Sequence, residues 1–250
     1  MKFDFENLRC ASVLARIGLG YLFAGLIVLN TSVRGQLVWC VGILLGYWGA
    51  LMWIPVPGIG AGDLSPGNTL ADYIDRGLLP GRLYHGVRDP EGIFSTIPAI
   101  STALMGALAG HWLRRSDRSG QRKALIVLLA GGLCLAVGQF WNPWFPINKN
   151  LWSSSFVLYA GGWSLLFLGI FYLVIDVWGW TRWSFFFVVI GMNAITIYLL
   201  GEFIDFRALG EFVFAGSSGS LKKELLPSTG LLLQWLLLYG MYRRKLFLKV

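Results

Sequence analysis

Apolar residues gather along the chain into seven runs separated by short polar segments, at approximately 12–30, 36–54, 93–112, 124–141, 152–175, 184–204 and 225–241. Each approaches the roughly 20 residues that a helix needs to cross a bilayer. The runs are continuously apolar and lack the two-residue alternation of a barrel strand, which excludes a transmembrane β-barrel. The pattern predicts an all-α integral membrane protein with about seven transmembrane helices, one polytopic membrane domain over residues 1–250. One connection breaks the rhythm. The 55–92 segment holds five of the nine prolines and eight glycines, a turn-rich composition, in a connection too long to be structureless. Within it, "SPGNTLADYIDRGLLPG" predicts a short helix, with Asn68 as its cap, Asp72 at its positive end and Gly77 or Pro80 as its stop. A structured external cap loop over 55–92 is expected, and function is expected there rather than in the bulk of the bundle.

Charge orients the bundle. Only 14% of the 250 residues are charged, against roughly 25% in a soluble domain. The net charge of +8 sits in short segments between the runs, as orientation signals do, so no nucleic-acid partner is expected and the lipid bilayer is. The loop "RRSDRSGQRK", 114–123, carries five basic residues and the tail "YRRKLFLKV" four, which places both in the cytoplasm. Parity then puts 55–92, 142–151 and 205–224 outside, and residue 1 outside as well. The opening "MKFDFENLRC" is not a signal peptide, so either one span is miscounted or an odd number of upstream helices is expected. Cys10, Cys40 and Cys134 have no metal or disulfide spacing; they read as small hydrophobes, and no metal site is expected.

Candidate chemistry clusters at helix mouths. In "HGVRDPEGIFSTIPAI", Asp89 suits a helix N-cap, Pro90 the first helical position and Glu91 the positive end of the dipole. Alternatively Asp89 and Glu91 line an external opening and bind a polar substrate. Pro98 suggests an irregular helix entrance with a freed carbonyl. His85 is the external histidine and a weak candidate for general base, set against simple solvation; His111 reads as a cytoplasmic-end anchor. "NPWFPINKNLWSSS" places Asn148, Lys149 and Asn150 together, where an ammonium between amides suits phosphate or sugar oxygens as well as it suits interfacial snorkelling. Asn193 lies inside an apolar run and must find partners, by interhelical bonding or by contact with substrate. Gly42 with Gly46, and Gly106 with Gly110, have GxxxG spacing and predict close helix packing. There is no P-loop, GxGxxG after a strand, HExxH or GxSxG.

Three blocks in order, "VPGIGAGDLSPGNTLADYIDRGLLPGRLYHGVRDPEGIFSTIPAISTALMGALAGHWLR", "FPINKNLWSSSFVLYAGG" and "GMNAITIY", resemble the bacterial relatives of heparan-alpha-glucosaminide N-acetyltransferase, a multi-span membrane acyltransferase family. The resemblance runs from about "LRCASVLARIGLGYL" to the last helix. It implies acetyl transfer across the membrane, from acetyl-CoA on the cytoplasmic side to an amino sugar or envelope glycan on the other, in a bacterial inner membrane with the C-terminus cytoplasmic. The family's working histidine lies near the start of its membrane domain, with a "DxFRG"-like opening, and neither occurs here. The resemblance therefore begins at about the fourth helix of a fold of about ten or eleven spans, and the chain reads as a truncated C-terminal part whose catalytic residue is unknown. His85 and His111 do not inherit that role. Asp89, Glu91, Asn148, Lys149 and Asn193 fall in matching blocks and are expected to orient sugar or nucleotide. An amino-sugar transporter or permease component, and a non-catalytic family member, stay open as alternatives, as does homo-oligomerisation.

Overall fold

The computed structural model describes residues 9–206, 208–209 and 220–248, and these form helices and no strand. In chain order they are α1 (Val13–Asn30), α2 (Val33–Trp53), the short α3 (Leu70–Leu78), α4 (Ile97–Leu113) behind a 3-10 turn at Phe94–Thr96, α5 (Gly120–Trp141), α6 (Ser154–Phe171) continued by a π turn at Tyr172–Val177, α7 (Phe185–Gly191), α8 (Ala194–Phe203) and α9 (Ser220–Arg243). Two compact units divide the chain, Met1–Leu173 and Val174–Val250.

Local chemistry explains where the long helices start. Ser12, Ser32, Ser119 and Ser153 precede α1, α2, α5 and α6, and each hydroxyl accepts the N–H three residues on, satisfying one donor that the first turn leaves unpaired. Among the described residues, α1, α2, α5 and α6 with its π turn are long and apolar enough to cross a bilayer. Arg182–Gly191 and Ala194–Gly201, bent by 56°, make a fifth if they are one broken span. The third predicted run yields only the 17 residues of α4. Side chains such as Tyr21, Leu29, Val38 and Phe140 stand largely exposed on these helices, a surface that requires lipid rather than water. The chain is an integral membrane protein. Most of the predicted 205–224 connection lies outside the described residues.

In the first unit α4 packs against α1, α2 and α6. Its fully buried Leu104 centres a core with Ala24, Cys40, Leu44, Met105 and Val157. Hydroxyls fasten the helices to one another: Ser101 donates to the Cys40 carbonyl at 3.1 Å and Ser154 to the Leu44 carbonyl at 2.7 Å. A second core, Tyr47, Leu51, Val56, Leu70, Ala71, Phe145 and Leu151, ties α3 and the 142–151 loop onto the end of α2. Much of the 55–92 segment is thus folded against the bundle, with the Tyr47 hydroxyl donating to the Leu151 carbonyl at 2.7 Å.

Three local expectations are corrected. Thr69, not Asn68, caps α3, and Asn68 instead donates its amide to Asp63. Pro98 sits within the first turn of α4, where no intrahelical donor is needed, so it begins the helix rather than breaking it. The GxxxG glycines Gly42, Gly46, Gly106 and Gly110 face open space. Close packing occurs instead between α5 and α6, where a Cβ on Gly131 would lie 2.9 Å from the Gly162 carbonyl and one on Gly138 2.9 Å from the Tyr159 nitrogen.

In the second unit the chain turns at Met192–Asn193 between α7 and α8. α7 lies against α9 through Trp235, which stacks on Phe186 at 5.5 Å and donates its indole N–H to the Phe186 carbonyl at 3.2 Å.

Candidate functional site

A polar knot forms at the α3 end of the first unit, where the segment before α1 meets the segment before α4. Arg9 donates to both oxygens of Asp89, at 2.8 and 2.7 Å, and also to Glu91. The Asp89 side chain is fully buried and accepts further N–H groups from Tyr84 and Glu91 at 3.1 and 3.0 Å. Burial pushes this carboxyl up, but the guanidinium and the two amides outweigh it and hold Asp89 below the ordinary aspartate value. Asp89 reciprocally raises Arg9 above its own. Asp89 is therefore the centre of a tight loop rather than the N-cap of a helix: the chain turns through Pro90–Gly92 before the 3-10 turn starts.

Asp75, on the buried face of α3, reaches across to that turn. One carboxylate oxygen accepts the N–H groups of Ile93 at 2.9 Å and Phe94 at 3.3 Å. A Cβ on Gly92 would fall within the same carboxylate. Burial, partly offset by these amides, raises Asp75 to about 6.

Arg16 completes the knot. It occupies the first turn of α1, only 4% exposed, and its guanidinium donates to the Pro90 carbonyl and, at 2.5 Å, to the Ser95 hydroxyl. Its carbon centre lies 4.7 Å over the ring of Trp152, a cation–π contact. Trp152 holds φ at +50°, a left-handed conformation that bulky side chains avoid, while its indole donates to Thr102 at 3.3 Å. Among the described residues the Arg16 Nε has no hydrogen-bond partner and no carboxylate lies within ion-pair distance of the side chain. Arg16 is thus a buried cation, and Trp152 a strained aromatic, at one helix mouth.

Of the residues expected from sequence, the structure brings Asp89 and Asn148 to one small cavity, about 20 Å³, which they line together with Asp72, Arg88 and Asn150. That volume suits a single water and not a sugar. Asn148 accepts the N–H groups of Asn150 and Leu151, while its own N–H bonds the Ser153 hydroxyl. Glu91 shares Arg9 with Asp89, and Lys149 is exposed beside Asn148. His85 is exposed, its ring edge-on to Tyr84 at 4.6 Å, and Tyr84 in turn lies under Arg9. Asn193 belongs to the second unit, where it donates to the Leu246 carbonyl and accepts from the Leu248 N–H, both at 3.1 Å. Sequence reasoning missed Arg9, Arg16, Asp75 and Trp152. The signal available was an arginine inside the first apolar run, because an ionisable group at membrane depth is costly to keep without a purpose. Among the described residues no three His, Cys, Asp or Glu side chains are grouped for a metal ion.

No protein-family model matches the chain. It is 33% identical to the heparan-alpha-glucosaminide N-acetyltransferase of Mus musculus over 238 residues, covering 81% of this chain and 36% of the mouse protein. The Homo sapiens protein of the same name is 31% identical over 241 residues, covering 83% of this chain and 36% of the human one. The chain thus spans about a third of the length of these curated relatives. Matched over some four fifths of its own length, this chain is a relative of heparan-alpha-glucosaminide N-acetyltransferase.

Proposed function

We propose that this chain takes part in membrane-bound acyl transfer, moving acetyl from acetyl-CoA to an amino sugar or envelope glycan. The observation that carries this reading is the match to two N-acetyltransferases over most of the chain. The Arg16 knot, a buried cation at the rim of an apolar bundle, supports a reaction at a membrane face. In this reading the chain forms part of a larger polytopic domain. α4 and α9 join the other apolar helices as spans, for seven in all. The 55–92 cap faces outward, and the 114–123 loop and C-terminus face the cytoplasm of a bacterial inner membrane.

The chemistry needs an amine nitrogen to attack the thioester carbonyl, a C–N bond forming as the C–S bond breaks. The amine gives its proton to a base and the departing thiolate takes one up. The base that takes this proton is unassigned; His85, exposed on the cap, is a weak candidate for it. Asp89 and Glu91 act through Arg9 to tie the cap segment to the start of the chain's first helix. Asn148 and Lys149 offer amide and ammonium groups to sugar or phosphate oxygens, and Asn193 positions the bend of the second unit. The test is incubation of membranes carrying the chain within its whole polytopic domain with labelled acetyl-CoA and glucosamine. Labelled N-acetylglucosamine is expected. Its absence, together with glucosamine uptake that does not need acetyl-CoA, would overturn acyl transfer in favour of a permease.

A further inference from the structure

Half of the chain's net charge of +8 lies where α4 hands over to α5. Residues 114–123 carry Arg114, Arg115, Arg118, Arg122 and Lys123 against the single carboxylate of Asp117, a net +4. The knot at the α3 end is built differently, since there Arg9 is neutralised within the fold by Asp89 and Glu91. In the turn, Arg115 takes both oxygens of Asp117, at 2.9 and 2.8 Å. Arg118 comes within 3.2 Å of the same carboxylate, but its Nε makes no hydrogen bond. Among the described residues Arg114, Arg122 and Lys123 have no carboxylate within ion-pair distance.

The turn is nevertheless fastened. The Trp112 indole N–H donates to the Lys123 carbonyl at 3.2 Å, and Arg115 lies over the Trp112 ring at 5.3 Å. Arg114 and Arg115 follow the C-terminal end of α4, where the helix dipole favours cations. Arg122 and Lys123 stand in the first turn of α5, where it opposes them. Neither ion pairs nor helix dipoles within the chain offset that last pair. Position selects the anion that does. From Gly120 onward α5 is long and apolar enough to cross a bilayer, which sets the turn at the bilayer surface among lipid phosphates. Guanidinium and ammonium groups both bind phosphate oxygens, and a cluster of about four to eight cations directly beyond a membrane helix attracts anionic lipid.

We infer that this turn is a headgroup site for an anionic phospholipid, its phosphate contacted by Arg118, Arg122 and Lys123 while Trp112 fastens the two sides of the turn. The inference stands apart from the acyl-transfer reading, since it needs neither a substrate nor a catalytic residue.

The experiment uses the whole protein in neutral detergent and reads bound lipid by native mass spectrometry, with phosphatidylglycerol and phosphatidylcholine as probes and coenzyme A and inorganic phosphate as competitors. Phosphatidylglycerol is expected to bind about tenfold more tightly than phosphatidylcholine, and the preference to shrink as salt is raised. Arg122→Gln with Lys123→Gln is expected to weaken phosphatidylglycerol about tenfold and phosphatidylcholine not at all; this pair leaves Arg114, Arg115 and Arg118 to orient the helices. Arg122→Lys with Lys123→Arg keeps the charge and is expected to keep the preference. Arg34→Gln with Arg182→Gln removes the same charge from exposed positions where cations stand singly, and is expected to change nothing. Equal affinity of the parent for the two lipids, an equal loss in the Arg34 and Arg182 pair, or displacement of phosphatidylglycerol by coenzyme A or inorganic phosphate would each overturn the inference. The comparison of the two lipids on the parent protein decides the matter even if the glutamine pair fails to fold.

Discussion

The carboxylate of Asp75 occupies the space that a side chain on Gly92 would need. The pair fastens α3 to the start of α4, because only a bare backbone at Gly92 lets the carboxylate reach the Ile93 and Phe94 amides. Gly92→Ala is therefore expected to displace the carboxylate, leave two part-buried donors without it and destabilise the first unit by about 1–2 kcal/mol. Thermal unfolding in detergent measures it, and a variant as stable as the parent would refute the clasp.

The same carboxyl sets a pH dependence. Burial raises Asp75 to about 6 from its ordinary 3.8, so between those values the folded chain holds a proton that the unfolded chain has lost. Stability from this group is full below about 3.8 and falls as pH rises toward about 6. Asp89 works in the opposite sense, being held low, and contributes loss only in more acid solution. The stability difference between the protein and Asp75→Asn is expected to vary with pH between about 4 and 6 and to level off above. A difference that stays flat across the window would count against it.

Arg9 and Asp89 are expected to be energetically coupled. In a cycle of Arg9→Gln, Asp89→Asn and the double variant, the interaction should fall within about 1–3 kcal/mol, since Asp89 is fully buried and accepts a two-pronged pair. Additive unfolding energies would show that the pair contributes nothing specific.

The α5–α6 seam yields a contrast within one residue type. A methyl on Gly131 or Gly162 meets backbone atoms within 3 Å, which side-chain movement cannot relieve, so Gly131→Ala and Gly162→Ala should each cost about 1–3 kcal/mol. Gly42→Ala and Gly46→Ala, facing open space, should change the unfolding midpoint little.

For activity, Arg16→Lys keeps the charge but loses the planar fork that bonds Pro90 and Ser95. Acetyl transfer is expected to fall about tenfold or more. His85→Ala tests the weak candidate for the base: a loss of about a hundredfold or more would assign it the proton transfer. Rates unchanged in both variants would place the chemistry elsewhere in the molecule.

How much of this was legible beforehand depended on distance along the chain. Apolar run length alone located α1, α2, α5 and α6, because crossing a bilayer is a one-dimensional requirement. The folding of 55–92 was visible in its prolines and glycines, and its short helix was found to within one residue of its cap. Asn193 read as the interior of a helix, whereas the chain bends at that position and the side chain bonds Leu246 and Leu248, partners more than fifty residues away. The knot was hidden for the same reason: "DPEG" showed its acids, but the arginine that saturates them stands eighty residues earlier. Helix packing misled in a different way. GxxxG spacing shows where close approach is permitted, while the glycines actually in contact, such as Gly131 with Gly162, lie on different helices.

The fastenings of α2 and α5 are of two kinds. Ser101, Ser154 and Tyr47 tie α2 at three heights to α4, to α6 and to the 142–151 loop, whereas α5 meets α6 backbone against backbone at the glycine seam. A lost hydroxyl leaves the other two ties of α2 in place, but an added methyl in the seam meets atoms that no rotamer change can move. Tolerance of substitution is therefore expected to be wide along α2 and narrow along the α6-facing side of α5.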